Sequence, residues 1–131
     1  MTLALSTTLY TDFATAVERT RKALSEQGFG ILTEIDVTAT MKQKLDADLE
    51  DYLILGACNP PLAHAALEVD RQIGLLLPCN VIVREDRSHE GAVLVEAMDP
   101  QLMVQVAGDP GLKEVADTAA AKLGAAIAAL G

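Results

Sequence analysis

The sequence predicts an α+β fold, in which an antiparallel or mixed sheet of about five strands carries helices on one face. Apolar residues recur at a spacing of two in some segments and of three and four in others, which gives the order strand, helix, strand, strand, helix, strand, strand, helix. A polar turn separates the last two strands and indicates an antiparallel hairpin. Because the chain of 131 residues contains no Gly/Ser linker and only 3% aromatic residues, we expect a single domain over residues 1–131 with an aliphatic core.

The first strand and the first helix have recognisable boundaries. Residues 2–8 are β-compatible and predict the strand, and Asp12 is suited to cap the helix that follows. Gly28 provides the left-handed residue with which helices commonly end. The expected buried face of this helix consists of apolar and small residues three and four positions apart: Phe13, Ala16, Val17, Thr20 and Leu24.

The second strand is expected from residue 30, where the apolar spacing becomes two and the pattern is typical of a half-buried strand. One of its faces would carry Ile31, Thr33, Ile35 and Val37. A single polar helical turn is expected at residues 41–45, before an apolar run of strand length at residues 52–58. Gly56 lies within that run and indicates a bulge or a close approach of the backbone.

The second half of the chain begins with a helix at Asn59 and Pro60, since asparagine is a strong N-cap and proline is favoured at the first helical position. Residues 79–85 and 92–98 predict the hairpin. Asp109, followed by a proline, starts a final amphipathic helix that continues to the C-terminus, and its many alanines give it a high helix propensity.

The chain is acidic, with a net charge of −9 and a pI of about 4.5. Such a protein repels phosphate backbones and anionic lipid head groups, and no basic run offsets this repulsion. We therefore expect no nucleic-acid partner and no membrane partner. The N-terminal residues lack the basic segment and cleavage site of a secretory signal, so we expect a cytoplasmic protein whose thiols stay reduced.

Two short segments repeat a Cys-Asn pair, and together they form the candidate site. The expected ligand-binding residues are Cys58, Asn59, Pro60, Cys79 and Asn80. A helix that begins at Asn59 favours a thiolate at Cys58 and a small polar or anionic ligand beside it. The alternative is that both cysteines are inert core residues, because their neighbours at alternate strand positions are apolar.

Sequence motifs for metals and catalysis are missing. The cysteines do not form the local pairs of zinc sites, and the chain has no nucleophile elbow, phosphate-binding loop or HExxH motif. We therefore predict no metal site and no catalytic residue, and the sequence names no cofactor. His64 is expected to pair with Glu68 on the surface of its helix. Glu34 and Asp36 either share a site or form the solvated side of an edge strand, and sheet alternation favours the second interpretation.

Four segments carry a family resemblance: residues 28–37 (GFGILTEIDV), 55–63 (LGACNPPLA), 73–81 (IGLLLPCNV) and 97–100 (AMDP). They resemble the domain-of-unknown-function family 302, a group of small bacterial and archaeal α+β domains. The resemblance implies a curved antiparallel sheet backed by helices, of the TATA-box-binding-protein-like type, and a homodimer. It implies no DNA binding, because the likeness is one of fold alone, and it carries over no catalytic residue.

The sequence is compatible with three functions. The leading hypothesis is a small-ligand-binding or sensory domain, not an enzyme, with its site around the two Cys-Asn segments. The second is a thiol-dependent redox protein or enzyme that uses Cys58. The third is a structural or interaction domain without a pocket. The positions of Cys58 and Cys79 in the fold distinguish these functions, because a site at the two Cys-Asn segments requires both cysteines to lie close together.

Overall fold

The computed structural model describes residues 3–131 and confirms the predicted α+β fold. Its strands are β1 (Ala4–Leu9), β2 (Gly30–Asp36), β3 (Tyr52–Cys58), β4 (Cys79–Glu85) and β5 (Val93–Met98), and its helices are α1 (Phe13–Glu26), α2 (Val37–Leu45), α3 (Pro60–Val69), α4 (Gln101–Ala107) and α5 (Lys113–Leu130). The strands form one antiparallel sheet in the order β1-β5-β4-β3-β2. Thr2, the first residue of the expected first strand, lies outside the described residues. Between residues 3 and 131 no helix is long and apolar enough to cross a membrane.

The core lies between one face of the sheet, here called the inner face, and the helices that cover it. Alternate residues of the central strands point inward, and Leu55, Val81 and Val95 are fully buried there. Helix α1 contributes Ala16 to this core, and α5 contributes Leu123. The helices lie on one side, so the opposite face, here called the outer face, is left open by the described part of the chain.

Helix α1 begins and ends where the sequence predicts. The side chain of Asp12 accepts a hydrogen bond from the Thr15 amide at 3.0 Å. At the other end Gly28 has a φ of +84°, a conformation in which a side chain would be strained. The Phe29 amide then donates to the Leu24 carbonyl at 3.0 Å, and both side chains are buried. This arrangement is the Schellman motif, which turns the chain directly into β2.

Strand β2 corrects the expectation of a half-buried strand. It forms an edge of the sheet, and Ile31 is its one half-buried residue while the other six are exposed. The pairing with β3 shifts between Ile31 and Thr33, so Leu32 is an extra residue in a bulge. The bulge separates Ile31 from Ile35, which then lie on opposite faces, and Val37 already belongs to α2.

The close approach predicted at Gly56 is present in β3. The side chain of Thr33 lies directly over this glycine, and Pro78, the residue before β4, packs against it. A Cβ atom at this position would lie 2.9 Å from Cγ of Pro78, closer than real Cβ contacts allow. Glycine is therefore required here by space, since the backbone has no positive φ.

Several helical segments differ from the prediction. Helix α2 begins directly after Asp36, whose side chain accepts from the Ala39 amide, and it is longer than the single turn expected. Helix α4 was not predicted at all. The final helix is preceded by a 3₁₀ turn, Pro110–Leu112, which Asp109 caps. Val69, near the end of α3, is 41% exposed.

Candidate functional site

A cavity of about 300 Å³ lies where the ends of β3 and β4 meet helices α3, α4 and α5. Its wall is almost wholly apolar, and no charged side chain contributes to it. The lining residues from the sheet and its connections are Phe29, Leu32, Ala57, Cys58, Asn59, Leu77, Pro78 and Cys79, and those from the helices are Leu62, Ala63, Ala66, Leu67, Met103, Val115 and Ala119. A concave apolar space with few polar groups is typical of small-molecule sites.

Small side chains keep this space open. Ala57 lines it from the sheet, Ala63 and Ala66 from α3, and Ala119 from α5. Larger aliphatic residues at these positions would fill the volume, as they do elsewhere in the core. The bulge in β2 adds Leu32 to the wall, and this side chain is 67% exposed, so it marks the side on which the cavity opens to solvent.

The start of α3 has the predicted cap but no free backbone N–H group. The Asn59 side chain accepts from the Leu62 amide at 3.4 Å, and the Asn59 carbonyl accepts from the Ala63 amide at 2.9 Å. Pro60 and Pro61 occupy the first helical positions and have no N–H group. Anion sites at helix N-termini depend on such groups. The geometry therefore argues against the anionic ligand expected at this point.

The two cysteines have different environments, and neither is in a disulfide. Cys79 pairs with Ala57 across the sheet, so its side chain shares the inner face and is buried. Burial raises the pKa of the Cys79 thiol to about 11, and the nearby Cys58 adds to this rise. Cys58 follows Ala57, so alternation turns it to the outer face, where it is half-buried. The alternative interpretation, that both cysteines are core residues, is thus wrong for Cys58.

Three of the five predicted site residues line the cavity: Cys58, Asn59 and Cys79. The other two do not. Pro60 is exposed in the first turn of α3, and Asn80 is exposed on the outer face, where it pairs with Gly56. Strand alternation explains the difference for Asn80, because it points away from Cys79. Sequence reasoning missed the residues that give the wall its character, among them Met103 and Ala119, since they come from helices distant in the chain.

Other candidate residues take ordinary structural positions. The expected pair of His64 and Glu68 is present at 3.5 Å on the surface of α3. Glu34 forms an ion pair with Arg21 of α1. Asp36 caps α2, as described above, so it does not share a site with Glu34. Among residues 3–131 no three His, Cys, Asp or Glu side chains are grouped so as to hold a metal ion.

Comparison with known proteins agrees with the resemblance in the sequence. No curated protein matches the chain. The crystal structure of an uncharacterized conserved DUF302 protein from Bacillus stearothermophilus is similar to it, with a TM-score of 0.90 and 26% sequence identity over 100% of both chains. The family model described as "Domain of unknown function DUF302" matches residues 5–130, which is nearly the whole sequence. The chain belongs to the DUF302 family.

Proposed function

We propose that this protein is a small-ligand-binding domain, not an enzyme, and that the cavity beside α3 is its binding site. The apolar cavity of about 300 Å³ is the observation that supports this function. Its volume lies at the lower end of the range for ligand pockets. At the packing density of protein interiors it accommodates a ligand of about ten non-hydrogen atoms.

Water is a poor occupant of such a space. A bound water molecule needs two to four polar partners, whereas this wall offers the Asn59 amide and the buried Cys79 thiol among apolar side chains. An apolar molecule loses little on leaving water and gains contacts with the aliphatic wall. The cavity therefore favours an apolar ligand over the small polar one that the Cys-Asn pattern suggested.

The two alternative functions have weaker support. A thiol-dependent reaction would need a thiolate, and the raised pKa keeps Cys79 protonated at neutral pH. Cys58 is left as a single half-buried thiol with no basic side chain in the cavity wall beside it. A purely structural domain without a pocket does not account for the open space between α3 and the sheet.

The binding function is tested by filling the cavity. We expect isopropylbenzene to bind the wild-type protein and to shift the NMR signal of the Met103 methyl group, which lies in the wall. Ala63→Leu adds a branched side chain to that wall and should abolish binding without loss of thermal stability. Ala65→Leu is the control, because it makes the same change on the same helix outside the lining residues. Failure of the wild-type protein to bind, or equal binding by Ala63→Leu, would refute the proposed site.

We also propose that two copies of the chain associate through the outer face of the sheet. This face presents half-buried or exposed apolar side chains along its strands: Ile35, Tyr52, Ile54, Ile82, Leu94 and Met98. Its charged pair, Arg84 and Glu96, is joined at 2.7 Å and is neutral as a unit. Five strands of this length span about 500 Å² in projection. The accessible area of such a face exceeds its projected area. It therefore approaches the roughly 800 Å² that each partner contributes to a standard interface.

A further inference from the structure

We propose, building on the ligand-binding function above, that the cavity selects neutral molecules that combine an apolar body with one hydrogen-bond acceptor. The acceptor would lie at the side-chain amide nitrogen of Asn59. This assigns a chemical class to the ligand, such as a small ketone, ester or ether, and excludes carboxylates and phosphates.

The exclusion of anions follows from the start of α3. The partial positive charge of a helix N-terminus attracts anions through its free N–H groups. Here Pro60 and Pro61 have none, and the amides of Leu62 and Ala63 already donate to Asn59. No lysine, arginine or histidine lines the cavity. A carboxylate that entered would lose its hydration and find only the neutral amide of Asn59, with no positive charge to compensate its own.

The acceptor preference follows from the orientation of the Asn59 side chain. Its Oδ1 must be the atom that accepts from the Leu62 amide, so the capping bond fixes which end of the amide is Nδ2. Nδ2 lies beside Gly28: a Cβ atom added to that glycine would be 3.1 Å from it. Nδ2 donates a hydrogen bond to no described residue. No side-chain nitrogen or oxygen in residues 3–131 is both fully buried and unpartnered. Nδ2 is therefore not sealed in the interior, and because Asn59 lines the cavity, its amide is the donor that we assign to a bound acceptor.

Three small probes separate the parts of this proposal, because acetophenone, isopropylbenzene and benzoate have equal numbers of non-hydrogen atoms. Acetophenone supplies a neutral acceptor, isopropylbenzene supplies none, and benzoate supplies a charged one. Their binding is followed by NMR titration of the Met103 methyl signal. We expect both neutral probes to bind and benzoate to cause no shift at this position.

The donor is tested by a variant that keeps the helix cap. Asn59→Asp retains the capping oxygen, since aspartate is as good an N-cap as asparagine, but it replaces Nδ2 with an acceptor. Loss of one neutral hydrogen bond predicts that acetophenone binds about fivefold more weakly. The affinity for isopropylbenzene should not change. Because each probe is compared with itself in the two proteins, differences in how readily the probes leave water do not affect the result. The control is Asn80→Asp, the same change at an exposed asparagine, and it should alter the binding of neither probe.

The outcomes distinguish this inference from the function on which it rests. If neither neutral probe binds the wild-type protein, the ligand-binding function itself fails. If both neutral probes bind and Asn59→Asp weakens them equally or not at all, the cavity stands and the acceptor preference is refuted. Benzoate binding as tight as that of acetophenone would refute the exclusion of anions.

Discussion

Cys58 and Cys79 each precede an asparagine, and strand alternation gives them different chemistry. Cys79 lies on the inner face, 8% exposed, where burial holds its pKa near 11. A thiol in that state acts as a small apolar side chain. Cys58 lies one position beyond Ala57, the residue that pairs with Cys79, and so points to the other face. A single residue step thus separates a core side chain from one that solvent reaches.

The raised pKa of Cys79 predicts that the free energy of unfolding falls at alkaline pH. Because the folded-state value of about 11 lies above the ordinary 9.0, the contribution is complete below pH 9 and is lost as the pH rises toward 11. The full loss is about 2–3 kcal/mol in the free energy of unfolding. Cys79→Ala lacks this group, so its deficit relative to wild type, measured by urea unfolding, should shrink by about 2 kcal/mol over that pH range. A constant difference would contradict a protonated, buried Cys79.

At the scale of elements, the pairing of β2 with β3 determines the open side of the cavity. The bulge at Leu32 brings this side chain to the helix side, while Thr33 turns to the outer face and lies over Gly56. Pro78 packs against the same glycine from the start of β4. The two strands are therefore held in register by a contact that leaves no room for a side chain at Gly56.

Substitution of Gly56 should consequently destabilise the sheet edge. A Cβ atom would collide with Thr33 and lie 2.9 Å from Cγ of Pro78, so we expect Gly56→Ala to cost about 2 kcal/mol in the free energy of unfolding. Adding Thr33→Ala should recover part of this loss because it removes one of the two obstructions. The matched control is Gly30→Ala, since nothing lies within 4 Å of a Cβ at Gly30. Equal costs for the two glycines would show that the close packing at Gly56 does not matter.

The elements that could be predicted from the sequence are those with local signals. Asp12, Gly28 and Asn59 act on backbone groups within a few residues, so caps and turns are visible in the sequence itself. Glu34 and Asp36 also favoured an edge position for β2, which the sheet order confirms, but the bulge at Leu32 depends on pairing with β3 across many residues. The half-burial expected of β2 was wrong because the bulge changes which side chains face the helices, and no alternation pattern shows where a bulge lies.

At the scale of the whole molecule, both faces of the sheet are apolar, and this limited the prediction of the site. Tyr52 and Ile54 on the outer face are as hydrophobic as Leu55 on the inner one, so the sequence did not show which set packs against helices. The same pattern favours the alternative of a core position for Cys58, which the structure does not bear out. The cavity could not be predicted either, because its alanines come from separate elements and line one space only after α3 and α5 pack against the sheet.

The same apolar outer face leads to a prediction about assembly. Each copy carries a net charge of −9, so two copies repel each other over most of their surfaces. The outer face is an exception, because its Arg84 and Glu96 neutralise each other. Salt screens the general repulsion and leaves apolar burial intact. Association through this face should therefore strengthen as the ionic strength rises, the reverse of what an interface held by opposite charges would do.

Sedimentation velocity at low and high salt tests this interface with two matched variants. Ile82→Glu places a carboxylate on the central strand β4 of the outer face, so each half of a dimer would bury an unpaired charge. We expect this variant to be monomeric at concentrations where the wild type is dimeric, with little change in folding because Ile82 is only half-buried in one copy. Val106→Glu adds the same charge at a residue of α4 that is 67% exposed, and it should dimerise like the wild type. Equal effects of the two variants would mean that net charge alone governs association, and a monomeric wild type at high salt would exclude the outer face as an interface.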